Sequence, residues 1–318
     1  MTGLPEDLDY LAARIHGRHS RIADAEQLDT LCRIRSLEEL AGAVLTEGHI
    51  QDVSGFQRRV VEEWLEEMEE LTRSLSPPRA RMLEAIARRL QVEDQKLLLR
   101  GLAAGLQPEV LMHRFLRPME HPATNLEDFA MLLPEGMRSL PLRPFRLECA
   151  LDRQYLQGLF AALRGLDGSD RAGIRPLIHQ EVDHFHLMLV VRGRFFHGLE
   201  AEALLPWHLD GTGITRDIFS TMLSAPDLPR AASRALHLAL DALPSQGLDP
   251  ALLEALAGSR FLRLAHRTFR RGSMEFSTLV GYAALRRVEV ARLITLSEGI
   301  RLGVSSDALR ARMEVACA

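Results

Sequence analysis

Three heptads, GLQPEVL (105–111), GLEAEAL (198–204) and GVSSDAL (303–309), share one pattern: Gly, Leu or Val, two variable residues, an acid, Val or Ala, and Leu. Each follows a long apolar segment, and their glycines lie 93 and then 105 residues apart, about one modest domain each. The chemistry is that of a helix-to-helix corner. Gly105, Gly198 and Gly303 can take the left-handed conformation that ends a helix, the next Leu or Val packs back, and the acid faces the positive end of the following helix. Pro108 and Ser305 suit a first turn and an N-cap. A weaker match, DLDYLAARIHG (7–17) with DRQYLQGLFAA (152–162), spans two of the units.

The rest of the chain agrees with a helical repeat. In VVEEWLEEMEELTRSL (60–75) apolar residues recur every three or four positions and six glutamates fill the gaps, which predicts an amphipathic helix with a solvated acidic face over Glu62–Glu70. The same period runs through 37–45, 78–90, 154–166, 231–243 and 251–271. VDHFHLMLVVRGRFF (182–196) is strand-like in composition, but the repeat makes it the apolar helix before the second corner. Five prolines between 117 and 146 predict a connection, with one short helix over 126–133. Breaks follow at 206–217 and 244–250. The expected architecture is all-α: unit 1 over 1–116, the Pro-rich connection 117–146, unit 2 over 147–212 and unit 3 over 213–318. Units of this size exceed solenoid repeats, so a pseudo-symmetric trimer of helical domains is expected.

Composition narrows the function. The chain has 318 residues, a net charge of −4 and 47% hydrophobic residues, which excludes a disordered polymer. Lys96 is its single lysine, so the arginine content reflects codon usage, and the slightly acidic balance argues against nucleic-acid binding. Cys32, Cys149 and Cys317 lie far apart, which gives neither a disulfide framework nor a structural zinc site and points to a reducing cytoplasm. The N-terminus has no signal-peptide pattern, and apolar runs such as Leu187–Val191 are too short for a bilayer, so membrane association is expected to be peripheral.

No nucleophile elbow, cysteine-protease signature or glycine-rich phosphate loop occurs. HQEVDHFH (179–186) sets His179, Asp183 and His186 at i, i+4 and i+7, and Glu181 with His184 has the ExxH spacing of di-iron bundles. Without a second ExxH these are read as packing and surface residues, with a helical metalloenzyme as the rival reading. Arg260, Arg263, Arg267, Arg270 and Arg271 make a basic helix stretch that is read first as solvated, then as a contact for anionic lipid or an acidic shaft.

YLAARIHGRHSRI (10–22), the three heptads, LDRQYLQGLFAALRGLDGSDRAGIRPLIHQEVDHFHL (151–187) and VGYAALRRVEVARLITLSEGIRLGVSSDALRARM (280–313) together resemble the C/d subunit family of V-type and A-type rotary ATPases. The resemblance implies three similar helical domains around a central funnel. It implies a socket on the cytoplasmic face of the membrane rotor ring that receives the central shaft and passes torque, without catalysis, cofactor or metal. The partners implied are shaft and ring subunits, with this chain as a monomer within a hetero-complex. Asp94, Arg100, Asp183, His186, Arg192 and Arg292 become the partner-facing candidates. The family's repeated acid-Asn pair is changed here: the Asn positions fall on Asp94, His186 and Val290, and acids of the last copy are replaced around Leu285 and Arg287. The alternative is a helical scaffold that kept the fold and lost the rotary partners.

Overall fold

A computed structural model of the chain describes residues 8–45, 50–117, 119, 122–133, 135–138, 141–236, 243, 250–272 and 274–315. It is 78% helical, with no strand among the described residues. Helices α1 (Leu8–His19), α2 (Ala25–Arg33) and α3 (Leu37–Val44) precede a first hairpin of α4 (Val53–Thr72) and α5 (Pro77–Ala103), which turns into the short α6 (Pro108–Leu111). The second hairpin is α7 (Pro144–Arg164) and α8 (Gly168–Met188); α8 runs on as a π-helix over Leu189–Phe196 and turns into α9 (Ala201–Leu204). After α10 (Arg216–Leu223) and α11 (Leu228–Leu236), the third hairpin is α12 (Pro250–Arg271) and α13 (Phe276–Arg301), which turns into α14 (Ser306–Val315). The strand-like segment 182–196 is thus helical throughout, and the Pro-rich connection holds a 3₁₀ helix over Glu127–Leu132. Residues 237–242 of the expected 231–243 helix, the loop 244–249 and Cys317 lie outside the described residues.

Local chemistry sets the helix starts. Asp24 caps α2 in a reciprocal box with Gln27, Asp52 accepts the Gly55 N–H at 2.6 Å, Asp167 accepts that of Asp170 at 2.9 Å, and Pro77 and Pro144 open α5 and α7. All three corner glycines adopt positive φ, of 77°, 63° and 66° at Gly105, Gly198 and Gly303. In each copy the residue after the corner donates its N–H to a glycine carbonyl in the preceding helix. Leu106 donates to Gly101, Leu199 to Gly193 and Val304 to Gly299, all at 2.9 Å. The closing Leu of each heptad, Leu111, Leu204 and Leu309, lies against that same glycine, where a Cβ would collide with its methyl groups. The corner follows its packing glycine by four residues in the first and third copies and by five in the second. The π-helix absorbs the extra residue, because its hydrogen bonds span one residue more than those of an α-helix.

The hairpins pack in a circuit. The second helix of each lies on the first helix of the next, α5 on α7, α8 on α12 and α13 on α4. Helix α13 is the hub: Phe276 to Leu285 are buried without interruption, and α13 touches α1, α3, α4, α5, α8, α12 and α14. The N-terminal helices cross the junction of α4 and α13. There Arg18 pairs with Glu67 at 3.0 Å and Glu70 at 2.8 Å, Arg14 pairs with Glu70, and Arg286 pairs with Glu67 at 3.3 Å. The acidic face of α4, read from sequence as solvated, is therefore covered in part by arginines of α1 and α13. The Tyr10/Tyr155 match is likewise not a structural repeat: Tyr10 is 60% exposed, Tyr155 is buried, and the counterpart of α7 is α4. Composition alone hides this, since both segments share the same amphipathic period.

Two glycine substitutions test the packing. At Gly281 an added Cβ would meet the Phe269 backbone, so Gly281→Ala is expected to cost about 3 kcal/mol in a denaturant melt. Gly258 has open space within α12, and Gly258→Ala is expected to stabilise by about 0.5–1 kcal/mol in the same assay.

Candidate functional site: repeated joints and a central ionic cluster

The residue just before each packing glycine reaches the next hairpin. Arg100 of α5 makes a two-pronged pair with Glu148 of α7 at 2.7 and 2.8 Å. Arg192 bonds Glu254 of α12 at 2.9 Å. Glu298 of α13 accepts from Gln57 of α4 at 2.9 Å, and Gln57 also reaches Ser297 at 3.1 Å. Glu148, Glu254 and Gln57 each occupy the fifth position of their helix. One joint is therefore built three times: two are charged, and the third, which returns the chain to its first hairpin, has a neutral amide partner. Arg100 and Arg192 are the exposed members of the sequence-based candidates, at 55% and 40%.

The other four candidates lie inside the protein. Counting back seven residues from Gly101, Gly193 and Gly299 reaches Asp94, His186 and Arg292, all buried, so Arg292 and not Val290 occupies the third place in the structural register. The Asp94 carboxylate accepts the Leu116 and Arg117 N–H groups, both at 2.8 Å. His186 Nε2 accepts the Leu209 N–H at 3.0 Å, and Asp183 accepts that of Ile214 at 3.1 Å. These side chains tie the segment after a corner back to the helix before it. Arg292 carries only donors and cannot repeat that bond. Desolvation raises the Asp94 carboxyl to about 6 despite its two amide donors. Burial, with a smaller push from His208 stacked 4.6 Å away, lowers His186 to about 3 and keeps it the neutral acceptor that its bond requires.

Twelve residues before the packing glycines stand Arg89, Glu181 and Arg287, and they converge where the hairpins meet. Arg287 pairs with Glu181 and bonds the Tyr155 hydroxyl at 3.0 Å. Arg89 lies over the Tyr155 ring and bonds Asp152 at 2.9 Å, and Lys96 meets the same carboxylate at 2.6 Å. Burial would raise the Asp152 carboxyl, but Arg89 and Lys96 hold it below the ordinary range. Burial and the neighbouring Glu181 push the Tyr155 phenol up. Glu181, Asp183 and His186 of the supposed metal motif are thus each engaged with protein groups, and His179 lies 6.1 Å from the Phe160 ring. Among the described residues no group of three or more His, Cys, Asp or Glu is placed to hold a metal ion. A groove of about 1000 Å³ borders the α4/α13 junction, lined among others by Glu67, Glu70, Tyr282 and Glu289.

A protein-family model, ATP synthase (C/AC39) subunit, matches residues 11–312. The chain belongs to the ATP synthase (C/AC39) subunit family. The match takes in all three hairpins, corners and joints of this C/AC39 chain. No individually curated protein matches it. Sequence reading missed the joint partners Glu148, Glu254 and Gln57 and the packing glycines; a glycine four or five residues ahead of each corner was the available signal.

The buried pair dominates the exposed joints energetically. Arg287→Ala is expected to cost about 3–5 kcal/mol because it strands Glu181 inside. A double-mutant cycle on Arg192 and Glu254 should give under about 1 kcal/mol. His186 supplies a pH test. Its pKa is lowered on folding, so the unfolded chain binds the extra proton and stability falls as pH drops from about 6.5 toward about 3. Chemical denaturation of His186→Asn, which keeps an acceptor, should lack that component, worth about 1.4 kcal/mol per pH unit.

Proposed function

We propose that this chain is a non-catalytic adaptor in the central rotor of a V/A-type rotary ATPase. In this reading it is a socket that joins the central shaft to the membrane rotor ring and transmits torque for proton or sodium transport. Membership of the C/AC39 family over nearly the whole chain is the observation that carries it. Three further features support it. Hairpins that pack in a circuit, cross-braced by ion pairs, suit a part that must resist twisting. Among the described residues no helix is long and apolar enough to cross a membrane, which suits a chain held at the bilayer through partners. Most polar groups at its centre are paired with one another, which suits a mechanical role.

The division into units 1–116, 147–212 and 213–318, with the connection 117–146, belongs to the same proposal, as does a central funnel between the units; the second hairpin begins three residues inside that connection, at Pro144. The shaft and the ring are its partners, and the chain acts as a single copy in the hetero-complex at the cytoplasmic face. Extended contact, not one reactive group, holds such a part to its neighbours. Arg100 and Arg192 then stand at the surface beside two corners, where a partner can reach them.

Affinity recovery of the tagged chain from gently solubilised membranes of its source cell, with mass spectrometry of what comes with it, tests the reading. Head, shaft and ring subunits of a rotary ATPase in fixed ratio are the expected result. Recovery of the chain alone or with unrelated proteins would contradict it.

A further inference from the structure

The three corners stand at one end of the molecule. Each joint ties the end of a second helix to the start of the next hairpin, and in a hairpin that start lies beside the end of its own second helix. Phe145, at the start of α7, is accordingly 4.7 Å from His197 at the second corner. The hairpin tips gather at the opposite end, where Arg79 of α5 bonds Asp170 of α8 at 2.6 Å and lies over the Phe276 ring of α13.

The corner end is where this chain leaves apolar side chains in water. Of the eight exposed large apolar residues among those described, five belong to or adjoin the corner heptads: Leu106, Val110, Met112, Phe196 and Leu302. Folding does not require them, since the corners are made by the left-handed glycines and the buried closing leucines. Counting three residues on from each packing glycine reaches Ala104, Phe196 and Leu302, all exposed, the last two at 74% and 64%. The heptad acids Glu109, Glu202 and Asp307 are exposed as well. Glu109 and Glu202 have no ion-pair partner among the described residues, and Asp307 meets Arg310 at 3.5 Å. Cations do not recur in this way: Arg114 and Arg312 occupy one equivalent place, nine residues beyond their corner glycines, where the middle copy has the buried Trp207. One pair, an apolar side chain and an acid, is thus presented three times around one end.

We infer that the corner end is the docking face for a protein that itself repeats, an array of identical loops that each offer a basic side chain beside an apolar one. A surface that carries one motif in three equivalent places is matched by a partner whose own motif recurs about an axis. The repeated acids set the sign of the charge opposite them, and they disfavour anionic lipid head groups. In the rotor reading, on which this inference rests, the repeating partner is the membrane ring and not the shaft.

Tagged chain recovered from gently solubilised source membranes is scored for ring and shaft subunits separately. F196S/L302S and E202R/D307R should each bring down the shaft as the wild type does, with roughly tenfold less ring. M274S changes an exposed apolar side chain between α12 and α13, at the far end, and should leave ring recovery unchanged. All the altered side chains are exposed, so unchanged melting curves separate a lost contact from a lost fold. A photo-reactive benzoylphenylalanine at 196 or 302, irradiated in intact membranes, should join the ring subunit, and the same group at 274 should not. Full ring recovery by both double variants, or cross-links from 196 and 302 to shaft subunits or to lipid, would overturn this face and leave the rotor reading standing. A wild-type chain that brings down no rotary subunit at all would remove both.

Discussion

The close approach of a helix glycine and the leucine beyond the next corner is the contact on which the rest of this structure depends. At Gly101, Gly193 and Gly299 the missing side chain makes room for Leu111, Leu204 and Leu309, and the left-handed corner glycine between them turns the chain back. Burial of one such leucine contributes about 1.5–3 kcal/mol, well above the exposed ion pair that stands one residue away. Packing therefore sets where each second helix ends. The polar joint to the following hairpin comes into register as a consequence. The middle copy makes the case best, because it carries an extra residue and still presents the same hydrogen bond, the same leucine contact and the same joint. A π-helix is the adjustment that preserves all three.

Inside this frame, charge is handled in two ways. At the rim, Arg100 and Arg192 pair in solvent and add register more than stability. At the centre, Arg89, Asp152, Lys96, Glu181, Arg287 and Tyr155 exchange bonds among three hairpins, and removing Arg287 or Glu181 strands the other's charge. Helix α13, buried on every face along its first ten residues, packs through the middle and carries both kinds of contact. Its end returns to α4, and α1 to α3 cover that junction.

The all-α class and the corners were legible in the sequence because each rests on local rules: apolar period for the helices, a glycine with its heptad for the turns. The family was legible for the same reason, since its motifs lie around those corners. The roles of the polar residues were not. Asp94 and His186 have the types and spacing of exposed recognition groups, yet both are buried and hold backbone amides of their own chain, a bond that depends on a loop more than twenty residues away. Tyr10 and Tyr155 look alike in sequence and sit in opposite environments, because only the second helix pair of the circuit surrounds one of them. The acidic face of α4 met arginines of α1, a partner that periodicity along one helix does not reveal.

The central claim is that three equivalent joints close the circuit, and the third, Gln57 to Glu298, is the one that spans the chain from near its start to near its end. Cysteines placed at 57 and 298, treated with a short bis-maleimide and mapped by mass spectrometry, test it directly. The account predicts a rapid intramolecular cross-link between the first and third hairpins, as efficient as one placed between 100 and 148. No 57–298 cross-link in a folded chain that cross-links at 100–148 would contradict it.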